Sequence, residues 1–272
     1  MANSTLLDQI RSYRGWGPIH NMAPIFFSNY HSLQTSVTKQ FSEGSILNLD
    51  YTWSKTLTDN QTDSATPPQS IYNLGAEYGP AQFNRANVLS ANFVYLVPFF
   101  RSQQGIAGHA LGGWETTGII SYGSGFPLTA ETINVDPGGL GLLAAGSATA
   151  NNDTARPDAV SNPNNGAPHK VNQWFNTAAF AQVPAGQYRP GNAPVGDIVG
   201  PGYADWDMSL FKNFHIADSL AMQFRAEAFN TFNHTNFVNF NGVATILGQT
   251  NFGQVTGADS ARILQLATKV NF

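Results

Sequence analysis

The sequence predicts an all-β fold in which antiparallel strands form part of a transmembrane β-barrel. Three observations predict it. Seven segments alternate apolar and polar residues with a period of two. The connections between them alternate short and long. Along the apolar face, charges and aromatics are sorted by depth. Composition agrees, with 12% aromatics, 26 Gly and 15 Pro but only 11% charged residues, well below the usual quarter. The net charge of −4 offers no basic footprint for nucleic acid, and there is no Cys for a disulfide scaffold or thiolate metal site.

In the first segment Leu33, Thr35, Val37 and Phe41 share a face opposite Gln34, Ser36, Thr38 and Gln40. The second sets Leu47, Leu49, Tyr51 and Trp53 against Asn48, Asp50, Thr52 and Ser54. The third carries Leu89, Ala91, Phe93 and Tyr95 against Ser90 and Asn92, with Val94 and Leu96 weakening its polar side. The fourth opposes Trp114, Thr116, Gly118, Ile120 and Tyr122 to Glu115, Thr117 and Ser121. The fifth opposes Trp206, Met208, Leu210 and Phe214 to Asp207, Ser209 and Asn213. The sixth opposes Met222, Phe224, Ala226 and Ala228 to Gln223, Arg225 and Glu227. The seventh ends the sequence on Phe272, with Val270, Thr268, Leu266 and Leu264 on its apolar side. Each is about 9–11 residues, the length a tilted strand needs to cross a bilayer.

A soluble sandwich also alternates, with its apolar face turned inward. The connections favour the barrel. Ser42 to Gly44, Gly105 to Gly112 and His215 to Ser219 are the shorter ones; Lys55 to Ala86, Gly123 to Asp205 and Asn230 to Ala261 are long. Short periplasmic turns opposite long extracellular loops mark outer-membrane barrels. Lys39, Lys212, Lys55 and Arg262 lie only at strand ends on the apolar face, where a long side chain can snorkel to the headgroups. Phe41, Tyr95, Phe99, Trp114, Phe214 and Phe272 gather at one level, and Tyr51, Trp53, Tyr122 and Trp206 at the other. Two such girdles suit the two membrane interfaces.

Catalytic chemistry finds little support. The six His residues are scattered, and there is no nucleophile elbow, P-loop or dinucleotide fingerprint. No enzyme activity, cofactor or metal is expected. Asn151, Asn152, Asp153 and Asp158 match no calcium loop. Arg225 and Glu227 are successive inward positions about 7 Å apart, expected first as a salt-bridged lumen wall, with a solute path or a plug contact as the functional alternative. The loop from Gly123 to Asp205, with Trp174, Phe175, Asn176 and Phe180, is a candidate recognition surface.

Four stretches resemble the C-terminal barrel region of TonB-dependent outer-membrane receptors, in particular the Oar-like branch. They are Tyr51 to Lys55; Tyr72-Asn73-Leu74 with Gly79-Pro80 and Phe83-Asn84-Arg85; Leu111-Gly112-Gly113-Trp114 with Ser124-Gly125-Phe126-Pro127; and Phe224 to His234 followed by Asn236-Phe237. Within the last, Glu227, Phe229, Asn230, Phe232 and Asn233 carry the family-like motif. The resemblance implies the last third of a roughly 22-stranded barrel, residing in outer-membrane lipid and taking up a large or scarce solute that the sequence does not identify. It implies that Phe272, Val270, Thr268, Leu266 and Leu264 are read by the barrel-assembly machinery. It also implies coupling to the TonB complex through an N-terminal region, with a plug and signal peptide, that this sequence lacks. Residues 1–29 are expected as a lead-in, a loop or the end of a preceding strand, and 30–272 as the barrel region. An Oar-like role in surface adhesion or protein export is the alternative, and a soluble β-rich binding module a third reading.

Overall fold

A computed structural model describes residues 24–41, 44–61, 68–70, 72–132, 155–217, 220–237 and 243–271. Seven long strands dominate it: β1 (Ser28–Gln40), β2 (Ile46–Thr58), β3 (Asn87–Leu96), β4 (Trp114–Gly123), β5 (Tyr203–Ala217), β6 (Leu220–Phe229) and β7 (Ile263–Asn271). They pair antiparallel in chain order as one sheet. One short helix, α1 (Gly105–Leu111), interrupts the connection from β3 to β4.

The register carries the predicted faces across the whole sheet. Val37 pairs with Leu49, Leu49 with Ala91, and Ala91 with Ile120. Ile120 meets Trp206, Leu210 meets Ala226, and Ala226 meets Leu266. Because side chains alternate with a period of two, one slipped register would flip a strand's apolar set to the other face. None does so along this path.

Burial is inverted relative to a soluble sheet. On β2 the polar side chains Ser54, Thr56 and Thr58 are buried, whereas Trp53 between β1 and β3 is 47% exposed. On β7, Leu264 and Leu266 are 67% and 72% exposed. No second sheet covers this apolar face among the described residues, as a sandwich would require. A contiguous apolar face of this extent needs a partner, and lipid supplies it. The polar face is satisfied internally, as in the 2.9 Å bond between the Asn48 and Asn92 amides and the 2.7 Å bond from Gln223 to Asn213.

Several boundaries differ from the alternation pattern. β1 starts five residues before Leu33, at Ser28, inside the expected lead-in. β2 runs on through Lys55 to Thr58, held there by pairing with Gly79–Pro80. β5 continues to Ala217 through a register shift between His215 and Ala217, so β5 and β6 approach each other more closely in sequence than expected. Phe272 and residues 1–23 lie outside the described residues.

Candidate functional site

All three long connections, 59–86, 124–202 and 230–262, leave the same end of the sheet, and their described parts pack together into a cap. Its centre is hydrophobic. Phe175, Ala179, Phe180, Ile198 and Val243 are buried, with Trp174, Phe252 and Val255 packed around them. Phe175, Phe180 and Phe252 meet edge to face, with centroids 5.2–6.1 Å apart, a favoured geometry for aromatic quadrupoles. Paired two-residue strands stitch the loops: 127–128 with 198–199, 131–132 with 246–247, and 158–159 with 180–181. Phe175 and Phe180 are therefore core residues and not a recognition surface.

Polar groups lock the cap as well. Arg156 forms a buried bidentate pair with Glu77, at 2.6 and 3.1 Å. Its backbone N–H donates to Gln69, whose amide reaches the Gly191 carbonyl. These bonds join the β2–β3 and β4–β5 connections. Asp197 lies near Arg156, and burial pushes its carboxyl up to about 6 despite that guanidinium. The guanidinium of Arg189, bonded to Asp158 at 2.6 and 2.7 Å, holds that carboxyl below its ordinary value. Asp158 is thus an ion-pair partner. Asn151, Asn152 and Asp153 lie outside the described residues.

The family-like stretches turn out to be fasteners. Arg85 is stacked on Phe126, 3.7 Å from the ring centroid, and on Tyr203 at 4.7 Å. It donates to the Ser124 carbonyl at 2.6 Å, and burial lowers its proton affinity. Asn84 accepts from the Thr56 backbone, and Tyr51 donates to Asn87. In Leu111-Gly112-Gly113-Trp114, Gly113 adopts φ +72° and a Cβ on Gly112 would collide with the Phe100 carbonyl.

The stretch after β6 ties three strands together. Asn230 and Asn233 both have positive φ, 50° and 52°, a region Asn tolerates better than most residues. The Asn230 N–H donates to Asp207 of β5, and its side chain brackets His234. Thr231 N–H donates to the Trp206 carbonyl, and Phe232 packs edge-on against Trp206 at 4.5 Å. Asn233 accepts from the backbone of Arg262, just before β7. Asn236 bonds both backbone groups of Ala204. Glu227 sits on the polar face opposite Ser209 and Gln265.

Beneath the cap, the polar face of the sheet opens into a cleft of about 450 Å³. Asp205, Asp207 and Asp259 line it with Tyr203, Phe229 and Asn236. Asp259 comes from a distant loop, so the sequence alone did not show the three carboxylates meeting. Among the described residues no group of carboxylates and imidazoles has metal-binding geometry. Contrary to the expectation from spacing, Arg225 does not pair with Glu227. It donates to Gln223 at 2.5 Å and lies over the Phe211 ring.

A family model described as "Outer membrane beta barrel domain" matches residues 1–265. The chain belongs to this family. No curated protein and no solved structure matches it. In this outer-membrane barrel domain the exposed apolar face is the lipid face, and the polar face with its acidic cleft looks into the barrel. Val270, Thr268, Leu266 and Leu264 lie on the lipid face of β7. β1 and β7 each pair on one side only among the described residues. Open edges are not tolerated in hydrocarbon, so both edges must be paired or covered in the membrane.

Proposed function

We propose that this barrel domain is part of a TonB-dependent, Oar-like receptor that admits a large or scarce solute by binding and gated passage, without catalysis. The observation that carries the reading is the folded cap above an inward-facing polar cleft. It builds a stable entry surface where a solute arrives first, and loops on a rigid scaffold are where recognition concentrates. The three carboxylates of the cleft repel anions and favour a neutral or cationic solute. The resemblance at Glu227, Phe229, Asn230, Phe232 and Asn233 supports the branch, and the family match supports only the barrel. In this reading the TonB complex acts through a preceding N-terminal region. The barrel-assembly machinery reads Phe272 with Val270, Thr268, Leu266 and Leu264.

The test is a deletion strain of the organism that carries the gene, grown on limiting amounts of candidate solutes. Loss of energy-dependent uptake, restored by the intact gene, supports the reading. Normal uptake with lost surface adhesion or export would transfer it to the Oar-like alternative. Recovery in the soluble fraction without detergent would end both.

A further inference from the structure

The row Trp114, Lys212, Phe224 and Thr268 runs in register across β4 to β7 on the lipid face. It lies at the end of the sheet with the shorter connections, the periplasmic end in barrels of this kind. Depth sorting predicts that Lys212 snorkels out to the headgroups. Instead it is only 3% exposed. Its ammonium donates to the Gly112 carbonyl and, at 3.4 Å, to that of Ala110. It also lies 5.2 Å from the Trp114 ring centroid and 5.1 Å from that of Phe214. No carboxylate pairs with it among the described residues.

Lys212 lines a groove of about 360 Å³. The sheet supplies Trp114, Phe214, Met222, Phe224 and Thr268, and the end of α1 supplies His109 and Ala110. Ile106 on α1 is 92% exposed, and Phe99 and Phe100 before it are exposed too. A short helix with bare apolar side chains at this depth fits an interfacial position. The groove thus combines apolar walls, a cation without a counter-charge and a place at the headgroup level. Basic pockets between membrane-spanning helices hold lipid headgroups, and the same charge pairing is open to a cation on a barrel's lipid face.

We propose that this groove binds one phospholipid of the periplasmic leaflet, with its phosphate at Lys212 and an acyl chain along Met222, Phe224 and Thr268. The site rests on the assignment of this face to lipid. Carbonyls and aromatic faces orient the ammonium, and the phosphate supplies the missing anion. Lys39 is the internal control. It lies on the same face near the same end, is exposed, has the Phe41 ring at 5.8 Å, and does not line this groove.

The test is native mass spectrometry of the full protein, extracted from its own outer membrane in mild detergent. Wild type should carry one retained phospholipid. Lys212→Met and the groove-filling Thr268→Trp should each lower the retained fraction at least tenfold. Lys212→Arg and Lys39→Met should leave it unchanged, and Thr268→Trp keeps the test valid if Lys212→Met fails to assemble. No retained lipid in wild type, or equal retention in Lys212→Met and Lys39→Met, overturns the site. Quenching of tryptophan fluorescence by brominated phosphatidylcholine separates the two levels. Quenching without Lys212-dependent retention removes only the groove, and absence of quenching removes the lipid face and the groove together.

Discussion

The sheet and the cap are built from the same chain with opposite rules of burial. In the cap, Phe175 and Ile198 are fully buried, and the buried guanidinium of Arg156 is paired with Glu77. In the sheet, leucines and aromatics face outward while Ser54, Thr56 and Thr58 are covered. An aqueous solvent explains the first pattern and a hydrocarbon solvent the second. Each region records the medium it faces, so a substitution that is severe in one should be mild at the equivalent position in the other.

The largest expected effect is in the cap. Phe175→Ala removes the centre of the aromatic triad and should cost about 3–5 kcal/mol. Limited proteolysis should cut within 155–202 in the variant, while the heat-modifiable migration of the barrel stays as in wild type. Loss of both would show that the cap and the sheet fold as one unit. Next comes the sheet. Leu49→Arg places a charge at mid-depth on the lipid face and should cost about 2–4 kcal/mol. Its neighbour Asn48→Arg points into the barrel and should assemble normally. Membrane-inserted yields of the two variants decide the matter, and equal yields would sink the assignment of faces.

The difference between the regions also explains what was legible in the sequence. Strand pairing is periodic, so Leu47, Leu49, Tyr51 and Trp53 announce their face without knowledge of any partner. The alternation of short and long connections likewise shows in the spacing of the strands. Contacts in the cap have no period. Phe175 and Phe252 meet across 77 residues of sequence, and Arg156 finds Glu77 from the next long connection over. No local pattern foretells either contact. The same holds for Asp259, which joins Asp205 and Asp207 only once the loops have folded. Alternation assigns Lys212 to its face, but its burial depends on α1, whose Gly105-Ile106-Ala107-Gly108-His109-Ala110-Leu111 sequence has no capping side chain to signal a helix.

Asn230 stands where the two regions join, and its substitution sharpens the comparison. Asn230→Ala loses the side-chain bonds to His234 and strains a positive φ, at a combined cost of about 1–3 kcal/mol. Asn230→Gly relieves the backbone and loses only the bonds, so it should fall between wild type and alanine. Urea titration followed by the fluorescence of Trp206, which packs on Phe232, ranks the three. Indistinguishable alanine and glycine variants would show that the backbone conformation contributes nothing there.

The smallest expected effect is a pH dependence confined to the cap. Burial raises the Asp197 carboxyl from 3.8 to about 6, and one of its oxygens has no hydrogen-bond partner among the described residues. The folded cap therefore holds this proton more tightly than the unfolded loop does. Between about pH 4 and pH 6 the folded state carries more protons, so cap stability falls as pH rises through that window and is level above it. The Asp158 carboxyl, held low by Arg189, works in the opposite direction. Its contribution is present above the ordinary carboxyl value and is lost only as pH falls below it. Proteolytic susceptibility of the cap, measured from pH 4.5 to 7.5, should thus rise with pH in wild type. In Asp197→Asn it should be flat, with greater resistance at the upper end. A wild-type profile that is flat, or that rises toward acid, would place the Asp197 carboxylate in a solvated setting and remove it from the buried groups that set the cap apart from the sheet.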